Sequence, residues 1–138
     1  MNPLRRHEPD TKVAWLAARP WWRDLPAKDL KVLAATGDRV TVPAGREIMT
    51  EGEHGYESAI VITGEVEVNH DCEVVATLGP GDVVGELSLL DHAPRTADVR
   101  TTTEVELLVF STRGLQQALA ASAAVREQVT TAADAHRG

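Results

Sequence analysis

Apolar residues follow two different spacings along the chain, and the changes of spacing divide it into three parts. In residues 10–36 and again in residues 111–136 they recur at helical spacing, which predicts amphipathic helices. In residues 38–110 they alternate with polar residues in short runs, as Val66 and Val68 do, and Gly and Pro separate the runs. Seven or eight such runs predict an α+β, mainly β fold: an eight-stranded antiparallel β-barrel or jelly roll with helices at both ends.

The first helical part carries an aromatic cluster as well as an apolar face. Leu30 and Leu33 lie on one face of a predicted helix that ends near Gly37. Three tryptophans fall close together just before it, at Trp15, Trp21 and Trp22. Their number predicts that these helices are anchored to a larger body, and core packing is favoured over a stacking platform for bases.

The last helical part divides into two segments. Ser111 or Thr112 suits the N-cap of the first segment, and Ser122 predicts a break. Val125 and Val129 then form a thin apolar stripe that Ala132 or Ala133 continues. The sequence contains no internal repeat or linker, so we expect a single domain over residues 1–138 with N-terminal helices (10–36), a barrel (38–110) and C-terminal helices (111–136).

Composition and charge argue against several classes of binding partner and against a disulfide. The 138 residues include 14 Lys and Arg against 21 Asp and Glu, and this net charge of -7 argues against nucleic-acid binding. The sequence has no apolar run long enough to span a membrane and no apolar signal core near its start, so we expect a cytoplasmic protein without membrane contact. Cys72 is the only cysteine, which excludes an intrachain disulfide; we expect it in a strand as a small buried hydrophobe.

Residues 81–97 do not follow strand alternation and carry the candidate chemistry. Gly85 permits a turn, after which one short helical turn would expose the N–H groups of Leu87 and Ser88 as an anion site. Arg95 follows after a loop, with a guanidinium that can hold two phosphate oxygens, and Thr96 adds a hydroxyl. This segment is therefore a candidate phosphate-binding site, and we call residues 81–97 the cassette.

A second group in the same segment suits a sugar. Glu86 is an acceptor-only side chain when ionised, and it can accept hydrogen bonds from vicinal hydroxyls. A phosphate grip next to a sugar grip inside an apolar barrel indicates a nucleotide monophosphate pocket.

The ordered series of motifs resembles the cyclic nucleotide-binding domains. The family's phosphate-binding cassette is Gly-Glu-Leu/Ile-small-Leu followed by Pro-Arg-Ser/Thr/Ala-Ala, and this chain has Gly-Glu-Leu-Ser-Leu at 85–89 and Pro-Arg-Thr-Ala at 94–97. The resemblance extends to the first strands at 42–48, the Gly turn at 51–52 and the central hairpin at 62–68. It covers about residues 14–135.

The resemblance implies a ligand and a role for each matching residue. The ligand is a cyclic nucleotide, cyclic AMP (cAMP) being favoured over cyclic GMP (cGMP), although Thr96 occurs with either base. Glu86 would accept from the ribose 2′-hydroxyl and Arg95 would bind the phosphate. The amides of Leu87 and Ser88 and the Thr96 hydroxyl would complete the cradle, which begins at Gly85 and ends at Ala97. Four apolar positions match the wall around the base and could equally be plain core: Val68, Val75, Leu78 and Val84.

The chain departs from the family at its pocket and at its end. Val84 stands where many members have Phe, and after Ser122 no aromatic residue is available to cap the base. Nothing in the sequence matches an effector such as a helix-turn-helix or a kinase. We therefore expect a regulatory sensor without its own effector domain, which signals to an unidentified effector protein by movement of the last helix. The same helix is the candidate contact surface of a homodimer.

The alternatives to nucleotide binding are a metal-dependent enzyme and a ligand-free module. A metal-dependent cupin enzyme would need paired histidines on strands, whereas His54, His70 and His92 lie in three separate turns, so we expect neither an enzyme nor a metal site. A ligand-free member of the fold could serve as an interaction or oligomerisation module. Retention of both Glu86 and Arg95 favours nucleotide binding over this alternative.

Overall fold

The computed structural model describes residues 9–19, 23, 25–86 and 91–137. Within these residues the chain forms helices at both ends and strands between them. The helices are α1 (Pro9–Ala17), α2 (Ala27–Thr36), α3 (Thr112–Ala121) and α4 (Ala123–Arg137). The strands are β1 (Asp38–Val42), β2 (Glu47–Met49), β3 (Glu57–Thr63), β4 (Val66–His70), β5 (Glu73–Leu78), β6 (Val83–Val84), β7 (Asp98–Thr101) and β8 (Val105–Ser111).

The strands form two four-stranded antiparallel sheets. One sheet has the order β1-β8-β3-β6 and the other has the order β2-β7-β4-β5. Non-local pairs dominate both sheets; for example, Ala59 of β3 lies opposite Val109 of β8. The predicted jelly roll with eight antiparallel strands and flanking helices is confirmed. The pattern missed β6, a two-residue strand inside the segment that does not alternate.

Sheet β1-β8-β3-β6 separates two hydrophobic cores, because successive side chains of a strand point to opposite faces. Ala59 and Val61 of β3 belong to the barrel-side core, whereas Ile60 and Ile62 belong to the helix-side core. The barrel-side core consists of buried residues from both sheets: Val40, Val42, Met49, Ala59, Val61, Val66, Val84, Val99, Val105, Leu107 and Val109. The helix-side core adds residues of the helices: Trp15, Leu16, Leu30, Leu33, Ile60, Ile62, Val83, Leu108, Phe110, Leu115, Ala118, Val125 and Val129.

A polar cluster around Glu106 fastens α1 to the strands. The Glu106 carboxylate on β8 accepts from the indole Nε1 of Trp15 at 2.9 Å, from the guanidinium groups of Arg19 at 3.2 Å and Arg39 at 2.9 Å, and from the Thr63 hydroxyl at 3.0 Å. The Arg39 guanidinium also lies 4.5 Å from the centroid of the Trp15 ring, within range of a cation–π contact. The predicted anchoring role therefore holds for Trp15, while Trp21 and Trp22 lie outside the described residues.

Two serines define the ends of the last helices, as the sequence predicts. The Ser111 hydroxyl caps α3 by accepting from the amide of Gly114 at 3.0 Å. Ser122 separates α3 from α4, and its hydroxyl accepts from the amide of Val125 at 3.2 Å. Each serine satisfies an amide that a helix start leaves without an intrahelical partner.

The expectation for Cys72 is wrong. It is exposed and lies in the turn between β4 and β5, where both Asp71 (φ 51°) and Cys72 (φ 66°) are left-handed. A two-residue hairpin turn with positive φ at both positions matches the right-handed twist of the strands, so pairing of the strands overrides the preference of the cysteine.

No helix in the described ranges combines the length and the apolar character needed to span a bilayer.

Candidate functional site

The candidate site begins where β6 ends, at a glycine that no other residue can replace easily. Gly85 has φ +80°, and a Cβ on it would approach Nη1 of Arg95 to 2.5 Å and Cε of Met49 to 2.8 Å. The backbone turn at Gly85 sends the next side chain, Glu86, into the protein, where it has no exposed surface. The sequence therefore buries a carboxylate beside an arginine at the start of the predicted cassette.

Arg95 lies half-buried against this turn. Its Nη1 donates to the carbonyl oxygen of Gly85 at 3.0 Å and its Nη2 donates to that of Glu57 at 2.7 Å. Burial lowers the pKa of the Arg95 guanidinium, and the charges of Glu57 and Glu86 oppose that shift. The guanidinium has five N–H donors, so two bonds to carbonyl groups leave others for an anion.

The backbone of Arg95 is fixed as firmly as its side chain. Its amide donates to the carbonyl oxygen of Glu53 at 2.7 Å, and its own carbonyl oxygen accepts from the amide of Gly52 at 2.9 Å. Next to these bonds, His54 and Pro94 form an isolated antiparallel bridge. In addition, Gly55 packs so closely on the Arg95 guanidinium that a Cβ there would overlap it. The turn after β2 thus sets the position of the only arginine in the cassette.

The remaining predicted cassette residues differ in how far they are described. Leu87 and Ser88 lie outside the described residues, so their amides stay a prediction. Thr96 is exposed and Ala97 is half-buried directly after Arg95. The structure thus places Gly85, Glu86, Arg95, Thr96 and Ala97 in two adjoining segments.

The four predicted wall residues occupy three kinds of position. Val84 on β6 is buried in the barrel-side core, and Val68 and Leu78 are partly buried against it. Val68 lies opposite Ala76, and the register shifts after this pair, so Val75 stands at a β-bulge and is 59% exposed. The sequence pattern did not reveal this bulge, since strict alternation cannot locate one. The positions of Val68 and Leu78 next to Val84 fit a shared apolar wall.

A cavity of about 290 Å³ lies beside Arg95 on the side of β2. Arg95 itself lines the cavity, together with His54 and three glutamates, Glu47, Glu53 and Glu57. The glutamates would repel a phosphate, whereas Arg95 would attract one. The lining contains neither Glu86 nor any of the predicted wall residues, so this cavity brings together only one of the residues predicted to bind the nucleotide.

The last helix is packed against the helix-side core. Val125 and Val129 are buried there, and Nε2 of Gln128 donates to the carbonyl oxygen of Gly81 at 2.6 Å, in the turn before β6. Val125 and Val129, the two valines of the predicted apolar stripe, are core residues in this conformation. The side chains of Ala132 and Ala133 lie outside the described ones.

Comparison with known proteins identifies the segment that contains these residues. A family model described as "Cyclic nucleotide-binding domain" matches residues 39–122. The CRP-like cAMP-activated global transcriptional regulator of Mycobacterium tuberculosis is 32% identical over an alignment of 95 residues that covers 65% of this chain and 42% of the regulator. The cAMP-dependent protein kinase regulatory subunit of Yarrowia lipolytica is 36% identical over an alignment of 102 residues that covers 72% of this chain and 27% of the subunit.

Solved structures agree on the fold. A structure described as "Sp-2Cl-cAMPS bound to PKAR CBD2" matches with a TM-score of 0.72 at 21% identity, and the match covers 88% of this chain and 86% of that chain. The regulatory subunit of a cAMP-independent protein kinase A from Trypanosoma brucei matches with a TM-score of 0.72 at 26% identity over 89% of this chain and 46% of its own. The chain spans less than half the length of the two curated relatives above.

Proposed function

This chain belongs to the family of cyclic nucleotide-binding domains, and we propose from this premise that it binds a 3′,5′-cyclic nucleotide, with cAMP preferred to cGMP. One observation carries the proposal. The fold brings Glu86 and Arg95 together: Arg95 donates to the carbonyl of Gly85, the residue before Glu86, and the Glu86 charge acts on its guanidinium. A buried acceptor next to a fixed cation suits a ribose hydroxyl next to a phosphate.

Each residue then has a distinct task. Arg95 would bind the phosphate with donors not used by the carbonyl groups, and Glu86 would accept from the ribose 2′-hydroxyl. The amides of Leu87 and Ser88 and the hydroxyl of Thr96 would complete the phosphate cradle between Gly85 and Ala97. The purine would lie along the wall residues Val68, Val75, Leu78 and Val84. The preference for cAMP rests on the relatives, since two of those above have cAMP in their names.

Isothermal titration calorimetry of the purified chain with cAMP and cGMP tests the proposal. We expect Arg95→Ala to weaken binding by at least about 100-fold, because losing a charge-assisted phosphate contact costs about 3 kcal/mol or more. Arg100→Ala is the matched control: Arg100 is an exposed arginine on β7, and the variant should bind like the parent. At a hundredfold excess of nucleotide over the dissociation constant, the parent should gain about 2.7 kcal/mol of stability.

Two results would contradict the proposal. One is no heat and no thermal shift with either nucleotide at millimolar concentration. The other is binding by Arg95→Ala within a few-fold of the parent, which would place the phosphate elsewhere.

We further propose a regulatory role in which α4 carries the signal to an effector protein. The Gln128–Gly81 hydrogen bond and the burial of Val129 attach α4 next to β6, the strand that leads into the cassette. A nucleotide that favours a different arrangement of the cassette would change how strongly α4 binds next to β6. The fraction of molecules with α4 docked would then change as well.

A second candidate function is a ligand-free interaction module. This candidate is supported by the similarity to a regulatory subunit of a cAMP-independent protein kinase A, which has the same fold. This alternative predicts no binding of either nucleotide together with a stable dimer or complex, which light scattering after gel filtration measures.

A further inference from the structure

His70 stands at the end of β4, next to the hairpin turn, and its ring contacts two other segments. Its Nδ1 lies 2.9 Å from Oε1 of Glu51 and 3.1 Å from the carbonyl oxygen of Thr96, and its Nε2 lies 3.4 Å from Oδ2 of Asp71. A carbonyl oxygen and a carboxylate oxygen only accept, so Nδ1 carries a proton. The Asp71 carboxylate favours a proton on Nε2 as well. The contacts of His70 therefore suit the charged imidazolium.

The two segments that His70 contacts both support the candidate site. Thr96 follows Arg95 directly. Glu51 belongs to the turn after β2, whose Gly52 amide donates to the carbonyl oxygen of Arg95 at 2.9 Å. The amide of Glu51 also donates to Oδ1 of Asp98 at 2.7 Å. His70 thus connects the hairpin of the predicted base wall with the segment of the predicted phosphate ligand.

The charge around His70 is mainly negative. The charged groups on the elements around it include Glu51 in the turn after β2, Asp71 in its own turn, Glu73 opposite it on β5, Asp98 at the start of β7, and Arg95, whose guanidinium donates to the carbonyl oxygens of Gly85 and Glu57. The same elements also carry Glu53, Glu67 and Arg100. Chiefly the hydrogen bond to Glu51, then the charge of Asp71, raises the pKa of His70 above its ordinary value of 6.5.

We propose that protonated His70 is a positioning residue of the nucleotide site, which holds the Arg95–Thr96 segment against the β4–β5 hairpin and makes nucleotide affinity fall as pH rises. The inference rests on the proposed function and goes beyond it, because His70 is remote in sequence from the cassette. His70 acts through the carbonyl group of Thr96 and the carboxylate of Glu51, and the ligand contacts themselves belong to Arg95 and Glu86.

The direction of the pH dependence follows from the raised pKa. The positive charge that strengthens these contacts is lost as pH rises through the raised pKa of His70 in the ligand-free protein, so affinity should decline in a window that lies above pH 6.5. Binding and protonation are linked in both directions. Saturating nucleotide should therefore raise the pKa of His70 further.

Two measurements on the whole chain test the inference. The first is the dissociation constant for cAMP from pH 5.5 to 8.5, by calorimetry in buffers with EDTA, so that no cation replaces the proton between Glu51 and Asp71. The second is NMR titration of the His70 ring with and without cAMP. Four proteins are compared: the parent, His70→Gln, which keeps a donor without a titratable charge, His70→Lys, which keeps the charge, and Glu104→Gln, which removes an exposed carboxylate outside the cassette and the hairpin.

We expect the parent and Glu104→Gln to lose affinity by about two- to fivefold across the window, the range for an exposed ion pair. His70→Gln should bind with a flat profile, and His70→Lys should keep the tighter, low-pH affinity throughout. Equal profiles for the parent and His70→Gln, or a His70 pKa that cAMP does not raise, would overturn this inference and leave the proposed function intact. No binding by any of the four proteins would overturn both.

Discussion

The Glu106 cluster offers a direct test of how α1 is held to the barrel, through the substitution Glu106→Ala. It removes an acceptor that serves Trp15, Arg19, Arg39 and Thr63. These four donors do not lose equally. The side chains of Arg19 and Arg39 are 31% and 24% exposed and can turn towards water, whereas Trp15 is only 7% exposed, so its indole N–H would remain buried without an acceptor.

The magnitude follows from this difference. A buried donor left without a partner costs about 1–3 kcal/mol, and each partly exposed ion pair adds up to about 1 kcal/mol. We expect Glu106→Ala to lower the free energy of unfolding by about 1–5 kcal/mol in total. For a chain of this length the melting temperature should fall by roughly 3–4 °C for each kcal/mol.

Urea denaturation of the parent, Glu106→Ala and Glu104→Ala measures the effect. Glu104 is an exposed glutamate just before β8 and serves as the matched control, with an expected change within about 0.5 kcal/mol. The reasoning is refuted if Glu106→Ala also stays within 0.5 kcal/mol at an unchanged urea dependence, since the four bonds would then be no better than bonds to water.

Two further predictions concern the hairpin turn and the last helix. Cys72→Gly should stabilise the protein by about 1 kcal/mol, because glycine has no steric cost at φ 66°, whereas Cys72→Ser should bring no gain; equal melting temperatures of the two variants would contradict this. If α4 carries the signal, saturating cAMP should change the hydrogen exchange of amides 125–135 in the parent but not in Arg95→Ala. Unchanged protection in the parent would mean that α4 is a fixed cover.

The strands could be predicted from the sequence because local rules determine them. Alternation with Gly and Pro between the runs placed seven of the eight strands, and the motif spacing selected Gly85, Glu86 and Arg95, which the fold brings together. A family motif is local, and so the cassette was visible without a structure.

The remaining features depend on contacts between distant segments. The bulge at Val75 and the turn at Cys72 follow from the register of β4 and β5, which alternation does not encode. The contact from His70 to Thr96 joins residues 26 positions apart. The packing of Val129 in the helix-side core depends on the outer face of sheet β1-β8-β3-β6, which exists only when distant strands have paired. In each case tertiary packing decides the outcome, and a one-dimensional pattern carries no information on it.

One sheet lies between the two cores, so the odd-numbered and even-numbered residues of its two longest strands, β3 and β8, face different cores. In β3 the odd-numbered Ala59 and Val61 face the barrel, and the even-numbered Ile60 and Ile62 face the helices. β8 repeats the arrangement, with odd residues inside and even residues outside, and in β3 the bulkier side chains are outside. Variation at the odd positions of β3 and β8 therefore alters the capacity of the barrel for a guest molecule, whereas variation at their even positions alters the attachment of the helices. Neighbouring residues of a single strand can thus diverge under two separate selective pressures.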